Sequence, residues 1–187
     1  MKQQNFIVGW KPFLEALTGL YLEVDRRVME LSVAHAGRLQ CRRGCKGCCV
    51  DELTVFGIEA ENIRRHHGDL LKDGAPHKKG ACAFLDENGL CRIYQNRPYV
   101  CRTQGLPLRW IDVLADGTPV EMRDICPLNE GEKSVESLPA DLCWSIGPFE
   151  ERLARLQAGA DGERLRRVPL RLLFALHDPW ADTFEPF

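Results

Sequence analysis

From Pro12 onward, Leu14, Leu17, Tyr21, Val24, Val28, Leu31 and His35 recur at alternating steps of three and four residues, the spacing that lines one face of an α-helix. Proline suits a first helical turn, so the pattern predicts an N-terminal helix over about residues 12–36. A stripe of this kind could also seam a coiled-coil dimer, but so few heptads favour a helix packed on its own core. His35 reads as a packed helix-end residue rather than a ligand.

Beyond Gly37 the block CRRGCKGCC has no such period, and its glycines suit a tight loop. A second helix is predicted over about 57–72, with Ile58, Ile63, Leu70 and Leu71 on its apolar side and a partial break at Gly68. GAPHKKG then marks a surface loop. Residues 108–114 and 119–123 flank Ala115-Asp116-Gly117-Thr118 and predict a β-hairpin, the one strand pair that the pattern supports. Pro148 and Pro169 stand at first-turn positions for helices near 149–157 and 170–177.

No repeat or linker divides the sequence, so it is expected to form a single domain over 1–187. That domain has a cysteine-cluster core over about 41–126 and C-terminal helices over about 139–178. The expected class is α-rich α+β, a small irregular metal-stabilised domain with several helices and one short hairpin. The chain has 187 residues, 44% of them hydrophobic and 28% charged, with a net charge of -2, which describes a globular protein with room for a core. No broad basic field is available for nucleic acid. No apolar run approaches the roughly 18 to 20 residues of a membrane helix, and the N-terminus lacks the features of a secretion signal. Neither a nucleic acid nor a membrane partner is therefore expected, and the expected location is cytoplasmic.

In that reducing setting, nine cysteines point to metal binding or redox chemistry rather than disulfides. Thiolate is a soft ligand, and four such groups close a tetrahedral site around a divalent ion. Cys41, Cys45, Cys48 and Cys49 offer four donors from one loop, with Gly44 and Gly47 letting the backbone turn so that sulfurs converge. Adjacent Cys48 and Cys49 are awkward as ligands of one ion, because neighbouring side chains diverge; they could serve two ions, or one could bridge. Cys82, Cys91 and Cys101 form a second block, and Cys126 could return to the same site after the hairpin. These eight would suffice for two four-thiolate centres.

Clustered thiolates leave excess negative charge, and Arg42, Arg43, Lys46, Arg92, Arg97 and Arg102 lie within or beside the cysteine blocks. Of these, Arg97 and Arg102 are taken as the charge-compensating pair around the ligands. Cys143, in PADLCWSIGPF, has no thiol near it in sequence and suits a small buried hydrophobe. His77 is the best nitrogen ligand should a cysteine be absent from the cluster. His66 and His67 point about 100° apart on a helix and read as solvated. Asp51, Asp86 and Glu87 could accept protons, but nothing pairs them as acid and base.

CRRGCKGCC followed by CAFLDENGLCRIYQNRPYVCR, with CRTQGLPL and CPLN after it, resembles the motif series of the YkgJ-like cysteine-cluster family. The resemblance implies a zinc- or iron-chelating domain with Cys41, Cys45, Cys48, Cys49, Cys82, Cys91 and Cys101 at motif positions. It implies no defined reaction, and the three-residue gap between Cys41 and Cys45 is wider than the gap of two associated with many members.

The favoured reading is a non-catalytic metalloprotein holding zinc or iron in a structural, storage, delivery or sensing role. The alternative is an iron-sulfur protein acting in or with a methyl-transfer or redox enzyme. Cys41, Cys45 and Cys48 have the spacing with which radical S-adenosylmethionine enzymes hold a four-iron cluster, and a related cysteine-cluster domain occurs in flagellin lysine methylases. Against it, the strand-helix repeats of a barrel are missing and Cys49 lies outside that motif. A third reading takes Cys45 and Cys48 as a thiol exchange pair with acidity tuned by Lys46, but it leaves the other seven cysteines without a role.

Overall fold

A computed structural model describes residues 2–131 and 133–175. The apolar stripe of the first helix faces inward as its period requires, with Leu17 and Val24 fully buried and Leu14, Tyr21, Leu31 and His35 almost so. The helix α1, Lys2–Ala34, is longer than the expected 12–36 at its N-terminal end and carries Pro12 inside it. The missing N–H of Pro12 costs a helical hydrogen bond, but the buried face extends upstream of it to Trp10. A stripe filled by the chain's own residues also disposes of the coiled-coil alternative: Ile58, Tyr99 and Leu153, from three later helices, occupy the same core.

α2, Gly57–Asp73, matches the predicted second helix and kinks at His67, beside the expected weak point at Gly68. A four-residue helix α3, Tyr99–Arg102, follows Pro98. α4, Ile146–Ala160, begins two residues ahead of Pro148. Leu170–Phe174 forms a short 3-10 turn after Pro169, where a helix to residue 177 was expected; His177 lies outside the described residues.

The hairpin stands where the turn residues put it. β2, Leu108–Val113, pairs with β3, Pro119–Asp124, from Leu108 opposite Asp124 to Val113 opposite Pro119. Three short strands escaped the sequence pattern. β1, Thr54–Phe56, pairs antiparallel with β5, Arg167–Pro169, and β4, Trp144–Ser145, adds in parallel to β2. The architecture is thus α-rich α+β with two small sheets. Among the described residues no helix is long and apolar enough to cross a membrane.

Two apolar clusters contribute residues to the lining of the cavity that holds the thiols. One is built on α1 with Phe56, Ile58, Tyr99, Leu106, Trp144 and Leu153. The other joins Val55, Ala60 and Ile63 of β1 and α2 to Phe84, Leu85, Ile93, Val168, Leu170 and Leu173, and includes Cys82. Buried polar groups tie these layers together. Gln157 accepts from the Ile58 N–H at 2.8 Å, satisfying a donor in the first turn of α2 that the helix itself leaves open.

Candidate metal centre

Local turns bring the thiols together. In the first loop Cys45 N–H donates to Arg42 O and Cys49 N–H to Lys46 O, both at 2.9 Å, and Gly44 takes the left-handed backbone (φ +86°) between them. Cys82 is pinned to this loop by its own N–H, which donates to Cys49 O at 2.9 Å. Asp86 then nucleates a turn, its Oδ1 accepting from Asn88 N–H and Leu90 N–H. The chain returns so that Cys91 bridges antiparallel to Leu85. Arg97 is extended (φ −58°, ψ 144°), as a residue before proline is biased to be, and α3 then presents Cys101.

The result is a cavity of about 920 Å³ lined by Cys41, Cys45, Cys48, Cys49, Cys82, Cys91 and Cys101. None of the chain's cysteines is in a disulfide. Cys126 is not among the residues that line the cavity; its carbonyl accepts from the Asn129 N–H at 2.7 Å, and the Asn129 side chain reaches Cys41. Cys143 is remote in environment, buried with Ile125, Val135 and Leu138.

Burial is the largest influence on Cys41, Cys82, Cys91 and Cys101 and raises all four thiols. Nearby guanidinium groups oppose it: Arg92 and Arg171 favour the Cys82 thiolate, and Arg97 and Arg92 that of Cys91. Cys48 differs. A hydrogen bond from the Cys49 thiol lowers it to about 6, and the same contact raises Cys49.

The two arginines singled out in sequence do different things. Arg97 lies over the Tyr94 ring, donates to Tyr94 O at 3.1 Å and lends its charge to Cys91. Arg102 directs its guanidinium to Asp25 at 2.6 Å and to the carbonyls of Arg97 and Gln95, above the Tyr21 ring. It thereby locks α3 onto α1. His77 offers its carbonyl to Arg171 and its N–H to Ala83 O, away from the cavity lining. The two adjacent histidines turn to different partners, His66 to Asn62 O and His67 to Asn96 Oδ1. Asp51 pairs with Arg171, which clamps the loop leading into Cys82.

Two supporting residues went unrecognised in the sequence. Asn129 is fully buried. Its Nδ2 donates to Cys41 Sγ at 3.2 Å and to Gly105 O at 2.7 Å, while its Oδ1 accepts from Gln40 N–H at 2.7 Å. Its signal was the CPLN block, noted only as a resemblance. Glu59 is also buried and accepts from Tyr21 Oη at 2.9 Å, Tyr99 N–H at 2.8 Å and Phe56 N–H at 3.2 Å. It joins α1, α2 and the start of the helix that bears Cys101. Its carboxylate reaches back to the N–H of the N-cap residue, as the glutamate half of a capping box does, but the N-cap is Phe56, whose side chain has no acceptor to complete the box.

In donor type the lining suits zinc or iron, which thiolate sulfur holds well. Gly105 adds a close-fitting wall: its φ is +91°, and a Cβ there would come within 2.5 Å of Cys41 Sγ. Among the described residues, however, no three His, Cys, Asp or Glu side chains stand at the spacing that grips an ion.

A family model described as "Putative zinc- or iron-chelating domain", under the pattern CxxCxxCC, matches residues 40–127. The matched stretch contains the eight cysteines from Cys41 to Cys126 and leaves Cys143 outside. No curated protein and no solved structure matches the chain.

Proposed function

Because residues 40–127 belong to the YkgJ-like cysteine-cluster family of zinc- or iron-chelating domains, we propose that this chain is a metal-binding protein whose ligands are drawn from Cys41, Cys45, Cys48, Cys49, Cys82, Cys91, Cys101 and Cys126. Its role on this reading is to hold or hand on zinc or iron, not to catalyse a reaction. The observation that carries the proposal is the convergence of seven thiols, from a loop, a bridged turn and a helix, on one cavity. Bound metal would favour the thiolate form at each ligand and couple the separate cysteine blocks into one folding unit.

Arg92, Arg97 and Arg171 supply positive charge at the Cys82 and Cys91 end, which lowers the cost of gathering thiolates there. The buried Asn129 amide does the same for Cys41 through its N–H···S hydrogen bond. An iron-sulfur centre is the second reading, favoured by the spacing of Cys41, Cys45 and Cys48 and by a cavity of this volume. Elemental analysis and a visible spectrum of protein purified without oxygen test both. About one or more equivalents of zinc or iron per chain supports the proposal, and iron with labile sulfide and a brown colour selects the second reading. Protein that neither carries these metals nor takes them up overturns both.

A further inference from the structure

At about 920 Å³ the cavity has the size of an organic-ligand site, for which about 300–1,000 Å³ is usual. A lone ion needs far less, since thiolate sulfur stands only about 2.3 Å from zinc. Part of the lining is apolar and buried, through Phe84, Leu85 and Ile93. Arg42 and Arg43 belong to the same lining and are exposed, so they mark its opening. Their turn is fixed by the Cys45 N–H, which donates to Arg42 O at 2.9 Å. Other guanidinium groups of the chain are committed to its own carboxylates: Arg102 to Asp25, Arg152 to Glu23 and Arg171 to Asp51. Among the described residues, the Arg42 and Arg43 side chains have no carboxylate or carbonyl partner.

Resting on the metal-binding reading above, we infer that the cavity takes a small polycarboxylate together with the metal, with Arg42 and Arg43 as the residues that hold its carboxylates. The metal then enters and leaves as a chelate of this class rather than as a bare ion. Guanidinium and carboxylate match in geometry and charge, and an apolar lining screens their attraction less than open water does. The same inference accounts for the protein donors that do not stand in threes: a ligand with oxygens of its own leaves fewer positions for the chain to fill. Zinc accepts carboxylate oxygen as well as thiolate sulfur. On this view Arg42 and Arg43 bind the ligand and do not serve to neutralise thiolates, a distinction that an experiment can read.

The test is equilibrium dialysis of reduced, anaerobic full-length protein against radiolabelled citrate, the polycarboxylate probe, with zinc(II) sulfate, iron(II) sulfate or no metal. Metal uptake from the sulfates alone is measured in parallel. Wild type should retain about one citrate per chain when metal is present, and raised salt should weaken that retention. Arg42→Ala/Arg43→Ala should weaken citrate retention by about tenfold or more and leave metal uptake from the sulfates at the wild-type level. Lys46→Ala removes a charge from the same loop but outside the cavity lining, and should change citrate retention by no more than about twofold. Metal bound without citrate overturns the inference and leaves the metal-binding reading standing, whereas no uptake of either metal from any source overturns both. If the double variant loses metal from the sulfates as fully as it loses citrate, the arginines neutralise thiolates and the inference fails. If Lys46→Ala loses citrate as the double variant does, the effect is one of loop charge and the assigned site fails. Wild-type citrate retention decides the matter even if a variant does not fold.

Discussion

Replacing Asn129 by Ala removes three polar contacts from a fully buried position. The Gly105 carbonyl loses its 2.7 Å donor in a buried setting, the Gln40 N–H loses its 2.7 Å acceptor in a half-buried one, and Cys41 Sγ loses its 3.2 Å N–H. A buried polar group left without a partner costs about 1–3 kcal/mol. One full and one partial penalty, with a weaker loss at sulfur, give about 2–4 kcal/mol in total. Urea unfolding of the metal-loaded protein measures it as a shifted midpoint at unchanged slope. Asn129→Asp separates support from sulfur chemistry. It keeps an oxygen for Gln40 N–H but loses both Nδ2 donations and sets a carboxylate beside Cys41, which disfavours the thiolate. The Asp variant should therefore release metal to a chelator faster than wild type. A loss below about 1 kcal/mol for Ala, or wild-type metal retention in the Asp variant, would refute the role given to Asn129.

Gly105→Ala forces a left-handed backbone on an L side chain and drives a Cβ into Cys41 Sγ, so it should cost about 1–2 kcal/mol in backbone strain alone and weaken metal retention in a chelator competition. Cys143→Ser should keep the full metal content by elemental analysis and lower stability modestly, since this thiol is buried with Ile125, Val135 and Leu138; metal loss would make Cys143 a ligand. Burial raises the Glu59 carboxyl above the ordinary range, so its contribution is complete below the unfolded value and is lost as pH rises through the folded one. Wild-type stability relative to Glu59→Gln should accordingly fall as pH rises above the ordinary carboxylate range, read as the difference in urea midpoint on metal-loaded samples, and a pH-independent difference would contradict the assignment.

The sequence by itself determined whatever depends on neighbours in the chain. The three- and four-residue stripe from Leu14 to His35 required a buried helix face, and Ala115-Asp116-Gly117-Thr118 required a reversal, which Gly117 makes at φ +85°. The thiol spacing, two glycines and Arg97-Pro98 marked the loops that carry the cysteines, because turn chemistry is local. Tertiary structure alone decided the rest. Strands as short as Thr54–Phe56 and Arg167–Pro169 carry too few residues to show a period and exist only because each finds the other. Pro12 sits inside α1 because the core continues upstream to Trp10. Arg102 could be read from its neighbours as a partner for thiolates, but folding places Asp25 of α1 at its guanidinium. Asn129 and Glu59 look ordinary in the sequence, and they acquire roles because hydrogen bonds between distant segments form only once the chain has closed around them.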